Sequence, residues 1–181
     1  MVAVAPVMRT WVDGERVRTD HFNEQIRDAI NLALDPPQTV VYRTTSTNFP
    51  TGQTYIPNTW EAVSIDTNAG WSFATPTRLV INTPGTYMLD AKYQFGNYAT
   101  GYRAMHLRLN AAGNPALGVL IDGDVVQPIA GAATSIRMQI PRPGLVTGDY
   151  LEMFMYQNSG AAQSTTVGLT GGYLSARWIG P

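Results

Sequence analysis

The chain has 181 residues, 44% hydrophobic and 14% charged, with 17 Gly and 12 Pro, which suits one domain with an appendage, built of short strands and tight turns rather than long solvated helices. Twelve basic residues stand against thirteen acidic ones without a Lys/Arg cluster to follow a phosphate backbone, which argues against nucleic acid as a partner. The absence of cysteine excludes disulfides, thiolate metal sites and cysteine nucleophiles.

The chain opens with an apolar leader in which Val2, Val4 and Val7 flank Pro6. It lacks the charged n-region of a secretory signal, and no apolar run is long enough to cross a membrane, so membrane insertion is not expected. Proline blocks a helix here and suits an extended arm that docks on another protein by adding to a sheet edge. Next, Asp13-Gly14 between Trp11 and Val17 predicts a two-residue hairpin. A helix capped by Thr19 or Asp20 follows, with Phe22, Ile26, Ala29, Ile30, Ala33 and Leu34 on one face, and Pro36-Pro37 ends it. That face has two readings: it packs on the β domain of its own chain, or on neighbouring subunits. The change of character at Pro36-Pro37 divides the chain into an N-terminal segment, 1–37, and a β domain, 38–181.

Strands are predicted over 40–43, 60–65, 71–73 and 77–81, with polar connections. The clearest follows the turn at Pro84-Gly85: Tyr87, Leu89, Ala91, Tyr93 and Phe95 fall on one face, Met88, Asp90, Lys92 and Gln94 on the other. Further strands are expected over 102–110, a hairpin loop at 110–114, then 117–121 and 135–140, and a Pro-rich turn through Pro143-Gly144. In the strand over 150–157, Leu151, Met153 and Met155 form one face and Tyr150, Phe154 and Tyr156 an aromatic opposite face. Both sides are thus expected to be covered, which suggests a subunit interface on the aromatic side. The closing strand, 172–179, places the C-terminal stretch inside a sheet.

Little here points to catalysis. His21 and His106 are the two histidines, and no serine sits in a Gly-x-Ser-x-Gly elbow. His106 lies on a polar strand face and reads as a surface or interface residue. Asp122-Gly123-Asp124 offers oxygen ligands but not the rest of a calcium loop; it reads as a turn, and whether Asp122 and Asp124 hold a metal ion stays open. No cofactor is implied. The aromatic set Tyr93, Tyr98, Tyr102, Tyr150, Phe154 and Tyr156 reads as core or interface ahead of a sugar-stacking platform. The loops at 98–101 and 161–166 are the candidates for recognising an outside partner, with Tyr98, Tyr102 and Gln163 as contact residues.

Taken in order, Pro84-Gly85-Thr86-Tyr87 opening an aromatic alternating strand, the Asn110 hairpin, Gly148-Asp149 before an apolar strand, Asn158-Ser159-Gly160 and the final Tyr173-Leu174-Ser175-Ala176 resemble the C1q and tumour-necrosis-factor-like jelly roll over about residues 39–181. The resemblance implies an all-β sandwich, here with a short N-terminal hairpin and one helix, and compact homotrimers packed about a threefold axis, with Tyr150, Phe154 and Tyr156 at the trimer interface. Residues 9–34, with Trp11-Val12-Asp13-Gly14-Glu15 before an Asn-containing helix, resemble the start of small structural proteins of tailed bacteriophages. Together these imply a non-enzymatic virion protein, a minor tail or capsid decoration protein made in the host cytoplasm. Val2, Val4, Val7, Trp11, Phe22, Ile26 and Ile30 would anchor it to other virion proteins of the capsid or tail surface. The alternative is a lectin-like receptor-binding module for a cell-surface glycan.

Overall fold

The computed structural model describes residues 12–16, 18–52 and 55–181. Within them a helical stretch comes first: α1 (Thr19–Phe22), a π-helical turn (Asn23–Arg27) and α2 (Asp28–Leu34). Strands follow as β1 (Gln38–Tyr42), β2 (Asn48–Phe49), β3 (Ile56–Pro57), β4 (Ala62–Asp66), β5 (Arg78–Val80), β6 (Gly85–Asn97), β7 (Arg103–Leu109), β8 (Val119–Val126), β9 (Ala133–Leu145), β10 (Tyr150–Gln157) and β11 (Gln163–Ser164). A short helix, α3 (Gly168–Gly171), leads into β12 (Gly172–Gly180).

Two antiparallel sheets form a sandwich. The first runs β4, β1, β12, β6, β9; the second runs β3, β10, β7, β8, with β5 also on β10. β6 is the spine because its period of two buries Tyr87, Leu89, Ala91, Tyr93 and Phe95 while the alternate residues face outward. Across the core it meets Met105 and Leu107 of β7 and Leu151, Met153 and Met155 of β10. β12 lies between β1 and β6, so the end of the chain is held at the centre of a sheet. Tyr87 is buried and donates from its hydroxyl to the Thr83 carbonyl at 2.7 Å, which satisfies the polar end of a core ring.

Several local expectations give way to longer-range pairing. Asp122-Gly123-Asp124, expected as a turn, lies within β8, opposite Leu107, His106 and Met105. Gly123 serves there as a floor: a Cβ at this position would come within 2.7 Å of His106 Cδ2. The Pro-rich stretch expected as a turn is part of β9, with Pro141 opposite Met88. β9 is an edge strand of the first sheet, where a missing N–H leaves no ladder bond unmade. The expected strand over 71–73 is a turn, with Trp71 packed against the core and Phe73 exposed.

At the N-terminal side, Asp13-Gly14 does turn the chain, and the Glu15 amide donates to the Val12 carbonyl at 3.0 Å. No strand flanks this turn among the described residues, and Trp11 and Val17 lie outside them, as do Val2, Val4 and Val7. The helical stretch starts at Thr19 with Arg18 at its cap and no side-chain capping bond, where Thr19 or Asp20 was expected to cap. Three residues of its predicted apolar face are exposed in the single chain, Ile26, Ile30 and Leu34 at 42%, 51% and 79%, while Ala29 is half-buried and the buried residue of α2 is Leu32. The Phe22 side chain lies outside the described residues.

Candidate functional site: an aromatic face and two apolar edges

The outward face of β10 is fully partnered inside one chain. Tyr150 lies under the Arg78 guanidinium, 4.3 Å from ring centroid to Cζ, and its hydroxyl accepts from the Ala112 amide at 3.1 Å. Glu152 is buried, accepting from Thr77 Oγ1 at 2.9 Å and the Gly113 amide at 2.9 Å, and it pairs with Arg78 at 3.4 Å. Phe154 is 0% exposed, with Pro57 of β3 on one side and His106 of β7 on the other. Tyr156 is buried against Tyr55 and Tyr102. The aromatic side of this strand is therefore lined by groups of its own chain: Arg78 over Tyr150, the turn at 112–113 on Tyr150 and Glu152, and Tyr55 and Tyr102 against Tyr156. This corrects the inference from a two-sided strand to a subunit interface at Tyr150, Phe154 and Tyr156, because the second cover comes from the same chain.

What that cover creates is an aromatic surface. Tyr55, just ahead of β3, stacks on His106 with centroids 3.9 Å apart and planes 16° from parallel. Tyr102 stacks on Tyr156 at 5.3 Å and 28°, and Tyr55 meets Tyr156 at 5.3 Å, so four rings form one continuous group. Burial, and then the nearby Arg108 charge, hold the His106 imidazole below its ordinary pKa. Burial raises the Tyr55 phenol, and the hydrogen bond with Tyr102 raises that of Tyr156.

The loop carrying Tyr98 and Tyr102 is rigidly held. Arg103 is fully buried, and its guanidinium donates to the carbonyls of Tyr98 at 3.0 Å, Thr100 at 3.1 Å and Tyr102 at 3.2 Å. Burial lowers its pKa. From the facing turn, Asn158 Oδ1 accepts from the Tyr102 amide at 2.6 Å, and Thr100 Oγ1 donates to the Ser159 carbonyl at 2.8 Å. Tyr98 is exposed at the tip. Gln163, expected on an exposed recognition loop, is instead buried in β11 opposite Phe49, and its Nε2 donates to Ser159 Oγ at 3.1 Å. The two predicted loops meet at Ser159, but their predicted contact residues part: Tyr102 joins Tyr156 and, through it, Tyr55 and His106, while Gln163 is buried.

A second kind of surface lies at the edges. On β8 and the segment after it, Val119, Leu120, Val125 and Ile129 are 55%, 47%, 56% and 73% exposed. At the far side of the first sheet, β4 exposes Val63 and Ile65. Because β8 lies beside β9 and β4 is at the opposite end of the sheet that β9 closes, these are opposite ends of the sandwich. The outward face of the first sheet between them is polar and self-satisfied at β6 and β9, where Arg137 pairs with both carboxylate oxygens of Asp90 at 3.1 and 2.7 Å, and Tyr173 donates to Asp90 at 2.9 Å.

Asp122 and Asp124 accept from the backbone amides of Gly123 and Val125, each at 2.8 Å. Among the described residues no three His, Asp or Glu side chains come together as metal ligands do, and no helix is long and apolar enough to cross a membrane.

Neither protein-family models nor curated proteins give a match to the chain. Solved structures do. The globular domain of zebrafish complement 1qA superposes with a TM-score of 0.55 at 13% identity, covering 79% of this chain and 97% of that one. Murine APRIL gives 0.57 at 12%, covering 78% and 99%, and Eiger TNF from S. frugiperda gives 0.56 at 9%, covering 79% and 92%. At these identities the likeness shows the fold: the β domain is a C1q and tumour-necrosis-factor-like jelly roll.

Proposed function

We propose that the protein is a non-enzymatic structural protein whose jelly-roll head self-associates as a homotrimer. The observation that carries this is the pair of unlike apolar edges, β8 and β4, left open at opposite ends of one sandwich. Exposed apolar edge strands invite pairing and are ordinarily charged, bulged or covered. Two different edges that cover each other make a heterologous contact, which closes into a ring when the rotation per copy allows it. Three copies is the number in the family that the β domain resembles. The aromatic face offers no nucleophile set against a base, so it reads as a surface for contact rather than for chemistry.

The resemblance of residues 9–34 to the start of tailed-bacteriophage structural proteins supports a place in the virion, on the capsid or tail, after synthesis in the host cytoplasm. Residues 1–37 are then the anchoring segment, and the exposed Ile26 and Ile30 belong to it.

The edge reading is tested by Val119→Asp and Val125→Asp. Both positions are exposed in the single chain, so the fold should persist while a charge buried at the contact drives the assembly apart. Single-chain mass with an unchanged near-ultraviolet spectrum is the expected result; an assembly that keeps its mass in both variants contradicts it. The virion reading fails if protein lacking residues 1–37 still joins particles devoid of the native copy.

A further inference from the structure

We propose that the outward face of the second sheet around Tyr55 and Tyr102 is a binding surface for a neutral carbohydrate chain. The proposal is independent of the number of copies in the assembly and of its place in a virion. Four features of the surface point to it together.

The rings are built up from a floor rather than tucked into the core. The β8 backbone at Gly123 lies against His106, where a Cβ would stand 2.7 Å from the imidazole, and Tyr55 lies on His106 at 3.9 Å. Tyr55, between His106 and Tyr156 in the ring series, is only partly buried and keeps part of its ring at the surface. Tyr102, also partly buried, carries the platform sideways across Tyr156. A row of phenol rings on an open sheet suits the C–H faces of successive sugar rings, whereas a small cofactor needs an enclosing cleft.

The platform is also preorganised. The Arg103 guanidinium ties down three carbonyls of the loop, and Asn158 holds the Tyr102 amide at 2.6 Å. Ordering costs on binding are therefore small, the condition under which a few stacked rings suffice for useful affinity. Polar groups accompany the rings, since Tyr55 and Tyr102 are both partly buried phenols.

Charge selects against other ligands. Arg108 is the charged side chain felt at Tyr55 and His106, and its Nη1 already donates to the Leu117 carbonyl at 3.1 Å. Glu152 is buried in its pair with Arg78. A single-stranded nucleic acid would need a positive groove beside the rings, and a polyanionic glycan would need several free cations. An uncharged saccharide needs neither.

The test is titration of the full-length protein with soluble neutral oligosaccharides built on glucose, galactose, mannose and N-acetylglucosamine, read by the tyrosine ring signals in NMR and by calorimetry. At least one is expected to shift the rings of Tyr55, Tyr102 and Tyr156, and Tyr55→Ala or Tyr102→Ala to weaken it about tenfold with the assembly mass unchanged. Should either truncation fold poorly, Tyr55→Phe keeps the stack and removes only the hydroxyl; weakening of about threefold or more is then expected. The proposal is overturned if no member shifts these rings at about 10 mM, if the variants bind as the parent does, or if a proline-rich peptide occupies the rings and no saccharide does.

Discussion

The ring of Tyr55 lies flat on the imidazole of His106, 3.9 Å from centroid to centroid. The stack joins a segment ahead of β3 to the middle of β7, and it hides His106 Nδ1, which has no hydrogen-bond partner. Burial together with Arg108 keeps this imidazole below its ordinary pKa. Tyr55→Ala is expected to return it toward the ordinary value near 6.5, at a cost of about 1 kcal/mol in stability from the lost ring contact. A proton NMR titration of His106 measures this. In the parent protein the sign is that of a depressed base: the neutral form's contribution to stability is complete above the unfolded pKa and is lost as pH falls toward the folded one.

Phe154 illustrates how a correct pattern led to the wrong surface. Its burial on a two-sided apolar strand is legible from the alternation over 150–157, but its neighbours on the flanking strands, Pro57 and His106, come from distant parts of the sequence. Phe154→Ala should therefore act as a core truncation, lowering stability by about 3 to 5 kcal/mol in each folded chain. Denaturant unfolding at several protein concentrations checks it: a loss confined to low concentration would instead mark an interface residue.

Tyr87 supplies a pH dependence on the alkaline side. Burial outweighs its hydrogen bond to Thr83 and pushes the phenol up to about 12. An unfolded chain releases this proton near pH 10, so between the two values the unfolded state has lost a proton that the folded state keeps, and raising the pH favours unfolding. The contribution is complete below pH 10 and is lost as pH rises through the window, the loss reaching about 3 kcal/mol near its upper end. Tyr87→Phe should cost about 1 kcal/mol at neutral pH through the lost bond, and should flatten the alkaline limb of the stability curve by one titrating group. Denaturant midpoints measured from pH 8 to 12 provide the comparison.

The sandwich was readable where local period and tertiary environment agree. β6 alternates because one face lies on the core, β10 carries two apolar faces and is buried on both, and β12 lies inside the first sheet as its run of residues indicates. Reading failed where a local turn signal meets a longer-range demand. Gly123 is in a strand because His106 needs the space above it, and Pro141 is in a strand because an edge tolerates a missing donor. Gln163 sits in a polar stretch, yet its pairing opposite Phe49 takes it inside. Tyr102 was found as a loop aromatic, but its companions Tyr55 and His106 carry no shared motif; only the register of β3, β10 and β7 brings them together. Val119 and Leu120 fall in the strand expected over 117–121, whereas Val125 lies beyond the expected turn, and sequence alone does not show that β8 lies at an edge.

The central claim is that the uncovered edges β8 and β4 meet between copies. It is tested most directly by the mass of the full-length protein in solution, measured by light scattering at micromolar concentration. The prediction is a single species of about three times the 19.7 kDa chain mass. A stable species of one chain mass, with Val119, Val125 and Ile129 open to solvent, would contradict it.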